Sequence, residues 1–490
     1  VSPRLSDITA RLLDRDPEIT GVTADSRKVG PGFLFAALPG SRADGRSFIP
    51  TAVAAGAAAI LAPEDVSELN VPVVHAGDLR RAYALAAARF WGRQPATCVA
   101  ITGTNGKTSI AAFCRQMFAT LGHKAASMGT LGVVVSAPGA EDITITPPGL
   151  TTPDAADVAE LMARLAGMGV THVAVEASSH GVDQRRLDGV KLTAAGFTNF
   201  TQDHLDYHHS MEAYRAAKLR LFETLLPTGS TAVLNADSDA YPHFAAAAAT
   251  HGHAIVSTGE AGEGIKLLKR VLTPEGQTLG IAHRGKTYQV RLPLAGGFQA
   301  DNALVAAGLC IAAGGSPAAV FAALESLQGA PGRMQKVGTG PRGGEAYVDY
   351  AHTPDGLETL LTALRPHVRG KLIVVFGAGG DRDAGKRPIM GEIAARLADV
   401  AIVTDDNPRS EDPASIRAAI LAAAPGAREI GDRREAILAG AALLEDGDVL
   451  AVAGKGHEQG QLVAGVNHPF DDVAETATAL GLGPGTGGAA

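Results

Sequence analysis

The sequence predicts an α/β protein of three domains. A central P-loop-type domain has a mostly parallel sheet with helices on both faces, and it lies between an N-terminal unit and a C-terminal Rossmann-like domain. Three observations carry this. The chain has 490 residues, and roughly 150 residues per domain gives about three domains. Apolar strand-like runs alternate with helix-period stretches over most of the length, as in a parallel sheet covered by helices. The apolar run Val99-Ala100-Ile101 also leads into Thr102-Gly103-Thr104-Asn105-Gly106-Lys107-Thr108-Ser109, a glycine turn between a strand and a helix start.

In order along the chain, residues 1–93 form the first unit. Residues 33–38 read as a strand, 49–59 as an Ala-rich helix, 71–74 as a short strand and 79–91 as a helix. Near Arg93-Gln94-Pro95 the chain passes into the central unit, residues 94–329. Strands are expected at 172–176, 195–199 and 232–235, with helices at 154–168 and 211–225. Two turn signals, Pro274-Glu275-Gly276 and Arg284-Gly285-Lys286, divide strand-like pieces within 265–294 and suggest an antiparallel annex. The long uncharged run between Asp301 and Glu325 is broken by Gly314-Gly315-Ser316-Pro317, so it reads as two buried helices and not a membrane span. Gly329-Ala330-Pro331-Gly332 opens the third unit, residues 330–490. Its strands, expected at 346–349, 372–376, 400–404 and 449–453, each run into a polar or glycine-rich loop. Ligands of open α/β sheets gather at those carboxyl ends. The Gly/Ala-rich tail 483–490 is expected to be disordered.

Composition narrows the function classes. A hydrophobic share of 46% with 19% charged residues permits a sizeable core. A net charge of −8 argues against a general nucleic-acid binder, whose footprint is basic. The first residues carry charges early and lack the apolar stretch of a signal peptide. Three cysteines, Cys98, Cys114 and Cys310, fit a reducing cytosol and no disulfide framework, so a cytoplasmic location is expected; Cys98 and Cys114, in apolar surroundings, suit small core positions.

The glycine turn limits the chemistry. Glycines let the backbone approach phosphate oxygens, and the free N–H groups of a helix start point at negative charge. Lys107 can reach distal phosphates, and Thr108 or Ser109 can hold Mg2+. The turn departs from the common phosphate-loop pattern, because Ile101 stands where the first glycine falls.

Further segments join it in a single order. They are Asp25-Ser26-Arg27 with Pro31-Gly32-Phe33-Leu34-Phe35; Glu176-Ala177-Ser178-Ser179-His180-Gly181; Asn199-Phe200-Thr201-Gln202-Asp203-His204-Leu205-Asp206; and Ala217-Lys218. In the third unit are Gly332-Arg333-Met334, Asp349-Tyr350-Ala351-His352-Thr353-Pro354, Gly379-Gly380-Asp381-Arg382-Asp383, Asp406-Asn407-Pro408-Arg409 and Gly454-Lys455-Gly456-His457-Glu458. Together they resemble the Mur ligase family of peptidoglycan precursor synthesis, over nearly the whole chain.

The resemblance implies an ATP-dependent amide ligase. ATP phosphorylates a carboxylate, an incoming amine attacks the acyl phosphate, and a tetrahedral intermediate expels phosphate. It places ATP on Gly103, Thr104, Asn105, Gly106, Lys107, Thr108, Ser109, Asn302, Arg333 and Asp349, with His352 in the same loop as Asp349. Lys107, Glu176, His204 and Lys218 become the catalytic set. Thr108 and Glu176 would hold one Mg2+ and His204 a second metal, while His208 and His209 are left as surface residues. The residue pattern alone reads Lys218 as part of a solvated helix face. The resemblance instead makes it a carbamate formed with CO2, an anionic metal ligand that requires a neutral amine first. Gln299 stands where the family has asparagine.

The two molecules to be joined follow in the same way. A UDP-N-acetylmuramoyl-L-alanyl-D-glutamate substrate is implied at Ala24, Ser26, Ser41, Arg42, Ala43, Thr151, Thr152, Ser178, Gln184 and Arg186. Ser41-Arg42-Ala43 replaces a His-Gln-Ala of relatives, so only backbone contacts carry over. Thr151-Thr152-Pro153-Asp154 also reads as a plain helix N-cap. The incoming amino acid is implied at Arg382, Asp406, Asn407, Pro408, Arg409, Gly454 and Glu458. An arginine fork pairs with a carboxylate and repels a lone ammonium, so Arg409 favours meso-diaminopimelate over L-lysine. An L-lysine-adding ligase, a folylpolyglutamate synthase and a P-loop NTPase switch are the alternatives. No membrane span or nucleic-acid partner is expected, and a monomer is the default.

Overall fold

The computed structural model describes residues 2–40, 44–67, 69–146, 149–273 and 276–483. Ser41, Arg42, Ala43, the first two residues of the 274–276 turn and the tail from residue 484 lie outside them. The chain divides into two compact units. One comprises residues 1–266 and 304–323, the other residues 267–303 and 324–490.

The first unit holds a four-stranded parallel sheet in the order Gly21–Thr23, Phe33–Ala36, Ala59–Ala62, Val73–His75. The helix expected over 49–59 stops at Ala54. Gly56, at φ 96°, turns the chain, and the apolar residues that follow form a buried strand at Ala59–Ala62. A short apolar run suits either state; burial between two neighbours decides it here. The helix Leu79–Trp91 matches its expected span and is capped by Asp78, which accepts from Arg81 N–H. Its face, with Leu79, Tyr83 and Ala87, packs on the sheet and on Ala155 and Ala159 of the helix Ala155–Gly167.

The large sheet of this unit runs Ala254–Gly259, Thr231–Asn235, Ala194–Phe197, Thr97–Thr102, His172–Glu176, Ala125–Gly129, with all neighbours parallel. Gly132–Ser136 and Ile143–Thr146 extend it antiparallel. The phosphate-loop helix Lys107–Thr120 is almost wholly buried. The uncharged run forms two helices, Gly297–Ala312 and Pro317–Ala323, broken where expected. The helix Met211–Arg220 continues as a π turn over Leu221–Leu225, together spanning the expected 211–225.

In the second unit, Gly276–His283 and Lys286–Leu292 pair antiparallel. Their two-residue turn, Arg284 at φ 47° and Gly285 at φ 75°, has the positive φ pair that matches hairpin twist. A six-stranded sheet runs Gln335–Thr339, Glu345–Asp349, Val449–Ala453, Leu372–Phe376, Val400–Val403, Arg428–Glu429. All but the first pair parallel. The carboxyl ends of the four central strands therefore lie along one edge, where Tyr350, Gly377, Thr404 and Gly454 begin their loops.

Candidate active site

Strand register sets the first cluster. Ile101 lies beside Glu176, and Phe197 lies beside Thr102. The glycine turn therefore emerges between the segments that follow Glu176 and Phe197. Thr104 N–H donates to Asn199 O at 2.9 Å, Asn105 N–H to Asn199 Oδ1 at 2.9 Å, and Thr198 Oγ1 to Asn105 O at 2.6 Å. A side chain could not replace Gly103: its φ is +150°, and a Cβ would stand 1.9 Å from Thr198 Oγ1.

On this turn Thr108 Oγ1 donates to Glu176 Oε2 at 2.9 Å, and both residues are buried. Thr130, which lies in none of the motifs above, donates its N–H to Glu176 Oε1 at 2.9 Å. The Lys107 ammonium turns back over the loop, donating to Gly103 O at 2.9 Å and Thr104 O at 2.8 Å.

Lys218 is only 1% exposed, which overturns the solvated-face reading. Its Nζ donates to Gly103 O at 2.7 Å and stands 4.5 Å from the Tyr214 ring centroid. Burial, with the Lys107 charge nearby, holds its amine well below the ordinary lysine value; Asp203 opposes this. Tyr214 was the signal available in sequence, because positions i and i+4 share a helix face. Its hydroxyl meets Thr104 Oγ1 at 3.2 Å.

His204 adopts φ 53° and its side chain is 44% exposed. Its Nε2 lies 3.4 Å from Asp203 Oδ2, and its ring is 4.8 Å from His180 and 6.0 Å from Tyr214. His208 is buried, contrary to expectation. The short helix Leu205–His208 folds its ring against Tyr207 at 4.7 Å and Tyr214 at 5.2 Å. His209 is exposed as expected. Among the described residues no group of three or more His, Cys, Asp or Glu side chains is arranged to hold a metal. The oxygen donors next to Glu176 come instead from threonines.

The peptide-side candidates form one network. Thr152 Oγ1 donates to Glu176 O and pairs with Ser178 Oγ, both at 2.9 Å. Arg186 donates to Thr152 O at 2.6 Å and to Gln184 Oε1 at 2.7 Å, and Gln184 Nε2 donates to Tyr207 Oη at 3.1 Å. Thr151 Oγ1 lies 3.0 Å from Thr130 Oγ1. The cap of the helix Ala155–Gly167 is Asp154 alone, so both threonine hydroxyls serve this network. Ala24 and Ser26 follow the strand Gly21–Thr23 and take no part in it. There Asp25 accepts from Arg27 N–H and from its guanidinium Nε and Nη2. Those bonds hold its carboxyl down at about 2.

Within the second unit, Asn302 Nδ2 donates to Gln299 Oε1 at 3.1 Å, both buried. Asp349 accepts from Met334 N–H at 2.5 Å and Ala351 N–H at 2.8 Å. Burial raises its carboxyl, opposed by Arg333, whose guanidinium covers the Tyr350 ring at 4.3 Å. His352 lies in the loop expected, with Nδ1 2.8 Å from Tyr350 O.

The amino-acid candidates meet at the sheet edge. Asn407 Nδ2 donates to Glu458 Oε2 at 2.9 Å. Gly454 lies against Asp406, a Cβ there falling 2.9 Å from Asp406 Oδ2. Arg409, at φ 56°, donates from Nη1 to Gly380 O at 2.6 Å. Pro408 lies against the same loop, its carbonyl facing Gly380, while Arg382 is exposed. Lys455, inside the Gly454-Lys455-Gly456-His457-Glu458 motif, sits at the centre of this cluster.

Three family descriptions match in succession: Mur ligase family, catalytic domain, over residues 18–91; Mur ligase middle domain, over 101–310; and Mur ligase, glutamate ligase domain, over 332–456. The chain is 73% identical over 481 residues to the UDP-N-acetylmuramoyl-L-alanyl-D-glutamate–2,6-diaminopimelate ligase of Caulobacter vibrioides, covering 98% of this chain and 99% of the relative. It is 54% identical over 467 residues to the enzyme of the same name from Bradyrhizobium diazoefficiens, covering 94% and 95%. A solved structure of a ligase of that name superposes with a TM-score of 0.72 at 33% identity, covering 98% of this chain and 99% of that one.

Proposed function

Because the chain belongs to the Mur ligase family, we propose that it is an ATP-dependent, ADP-forming amide ligase of peptidoglycan precursor synthesis. It joins meso-diaminopimelate to UDP-N-acetylmuramoyl-L-alanyl-D-glutamate as a monomer in the cytoplasm. Residues 1–93 bind the UDP-sugar, 94–329 the ATP and 330–490 the amino acid.

The γ-phosphoryl group of ATP passes to the terminal carboxylate of the dipeptide, and ADP leaves. The amine of diaminopimelate attacks the acyl phosphate carbon and gives up a proton, and the C–O bond to phosphate breaks as the amide forms. Positioning and charge neutralisation dominate such transfers. Lys107 and the N–H groups of Gly103 to Ser109 take the phosphates, and in the second unit Asn302, Arg333 and Asp349 are the nucleotide contacts. Thr152, Ser178, Gln184 and Arg186, already tied together, hold the dipeptide portion, with Thr151 beside them and Ala24 and Ser26 toward the uridine. Ser41, Arg42 and Ala43 contribute backbone contacts.

Thr108 and Glu176 are hard oxygen donors 2.9 Å apart, a set that fits Mg2+. Mg2+ held by these two residues would supply charge neutralisation at the phosphoryl group. Lys218, as a neutral amine, would add to CO2, lose a proton and so offer an anionic carbamate as a metal ligand; His204 would hold a second metal. Arg409 pairs with the distal carboxylate of diaminopimelate and Glu458 with its distal ammonium; Asp406, Asn407, Pro408, Gly454 and Arg382 complete the pocket.

The observation that most supports this reading is the buried Lys218 amine on the carbonyl of Gly103. The test is ADP release with each substrate omitted in turn. Release is expected only with ATP, the UDP-sugar dipeptide and diaminopimelate together. Full-rate ATP turnover without the other two would make the protein a nucleotide switch instead.

A further inference from the structure

We propose that Lys455 is a positioning residue for the amino-acid substrate. Its ammonium fixes the Asn407 amide and the Glu458 carboxylate in the orientation that receives the incoming molecule. This rests on the amino-acid pocket proposed above.

Lys455 is fully buried. Its Nζ donates to Asn407 Oδ1 at 2.9 Å and to Glu458 Oε2 at 3.3 Å, and lies 3.7 Å from Asp406 Oδ1. A buried ammonium is costly unless it is paired and hydrogen-bonded, and this one is bound to the pocket's own side chains. Asn407 Oδ1 also accepts Leu462 N–H at 2.9 Å. Two donors thus converge on the amide oxygen, and a flipped amide would point its NH2 at an ammonium and an N–H. The amide nitrogen is thereby aimed at Glu458 Oε2, at 2.9 Å. Lys455, Asn407 and Glu458 close a triangle with a single orientation.

The same charge acts on Asp406. Its Oδ1 is buried and has no hydrogen-bond partner among the described residues. Lys455 stabilises that carboxylate from 3.7 Å without taking the hydrogen bond. An acceptor is left for a donor from outside, as an amino-acid ammonium would supply. Lys455 and Arg409 together balance Asp406 and Glu458, which suits a ligand end carrying both an ammonium and a carboxylate.

The test uses the full-length enzyme and compares Lys455→Met, which keeps the stem and loses the charge, with Lys455→Arg. KM is measured separately for diaminopimelate, ATP and the UDP-sugar dipeptide. Lys455→Met is expected to raise the diaminopimelate KM at least tenfold and to leave the other two within twofold. Lys455→Arg, which keeps charge and donors, is expected to recover part of that loss. If Lys455→Met does not fold, Lys455→Arg carries the test, with a selective rise in the diaminopimelate KM expected. Three KM values rising together, or kcat falling alone, would overturn the positioning role. A wild-type enzyme that does not use diaminopimelate would instead overturn the pocket assignment.

Discussion

Lys107 and Lys218 donate to one and the same carbonyl oxygen, that of Gly103, at 2.9 and 2.7 Å. Two ammonium groups on one acceptor repel each other, and Lys218 is the buried one. Losing its proton relieves both the desolvation and the repulsion. The neutral amine so favoured is the form that can take up CO2.

Lys218→Ala is therefore expected to abolish nearly all activity while the protein stays folded. A short added carboxylic acid should restore part of it by standing in for the carbamate. Steady-state rates with and without the additive check this; wild-type activity in the variant alone would remove the role.

Arg409→Ala should weaken diaminopimelate use by about 1.5–3 kcal/mol, the worth of a hydrogen bond to a charged group. Its guanidinium already bonds Gly380 O, so it is held in place before the ligand arrives. The measurement is kcat/KM for diaminopimelate, with an unchanged value counting against the selectivity argument.

Arg433 and Asp472 form a fully buried bidentate pair, with both contacts at 2.7 Å. Arg433 Nη2 also donates to Ala453 O at 3.0 Å, just before the Gly454 loop. Asp472→Ala leaves a buried guanidinium without its partner and should cost about 3–5 kcal/mol of stability. The double variant Arg433→Met/Asp472→Leu should recover much of it. Urea unfolding of both variants checks the difference.

His172 stacks on His123 at 3.9 Å and lies 4.6 Å from Phe118. Burial, and then the His123 charge, lower its imidazole from 6.5 to about 4. Between those values the unfolded chain carries a proton that the folded one lacks, so stability rises with pH across that window and is lost as pH falls through it. His172→Phe should show a smaller drop in Tm between pH 7 and pH 5 than the wild type.

Much of this was legible in the sequence because local pattern and tertiary context agreed. The helix Leu79–Trp91 and the strands His172–Glu176, Leu372–Phe376 and Val449–Ala453 fall at their expected bounds. The strand Ala59–Ala62 was hidden in an alanine run whose pattern does not distinguish strand from helix. The burial of His208 was illegible for another reason: it depends on Tyr214, a residue of the following helix that packing brings against its ring. For Lys218 the same tyrosine, one turn earlier on its own helix, was the one signal available. The burial of Lys455 was masked by its place between two glycines. Besides Glu458 in its own motif, its partners come from the Asp406-Asn407 loop, some fifty residues earlier in the chain.

The most direct measurement of the central claim is product formation from UDP-N-acetylmuramoyl-L-alanyl-D-glutamate and ATP with meso-diaminopimelate, L-lysine or L-ornithine, identified by mass. A UDP-sugar tripeptide carrying diaminopimelate, formed with one ADP per amide and far faster than with the other two, is the result expected. Equal or faster use of L-lysine, or ADP released with no amide, would contradict it.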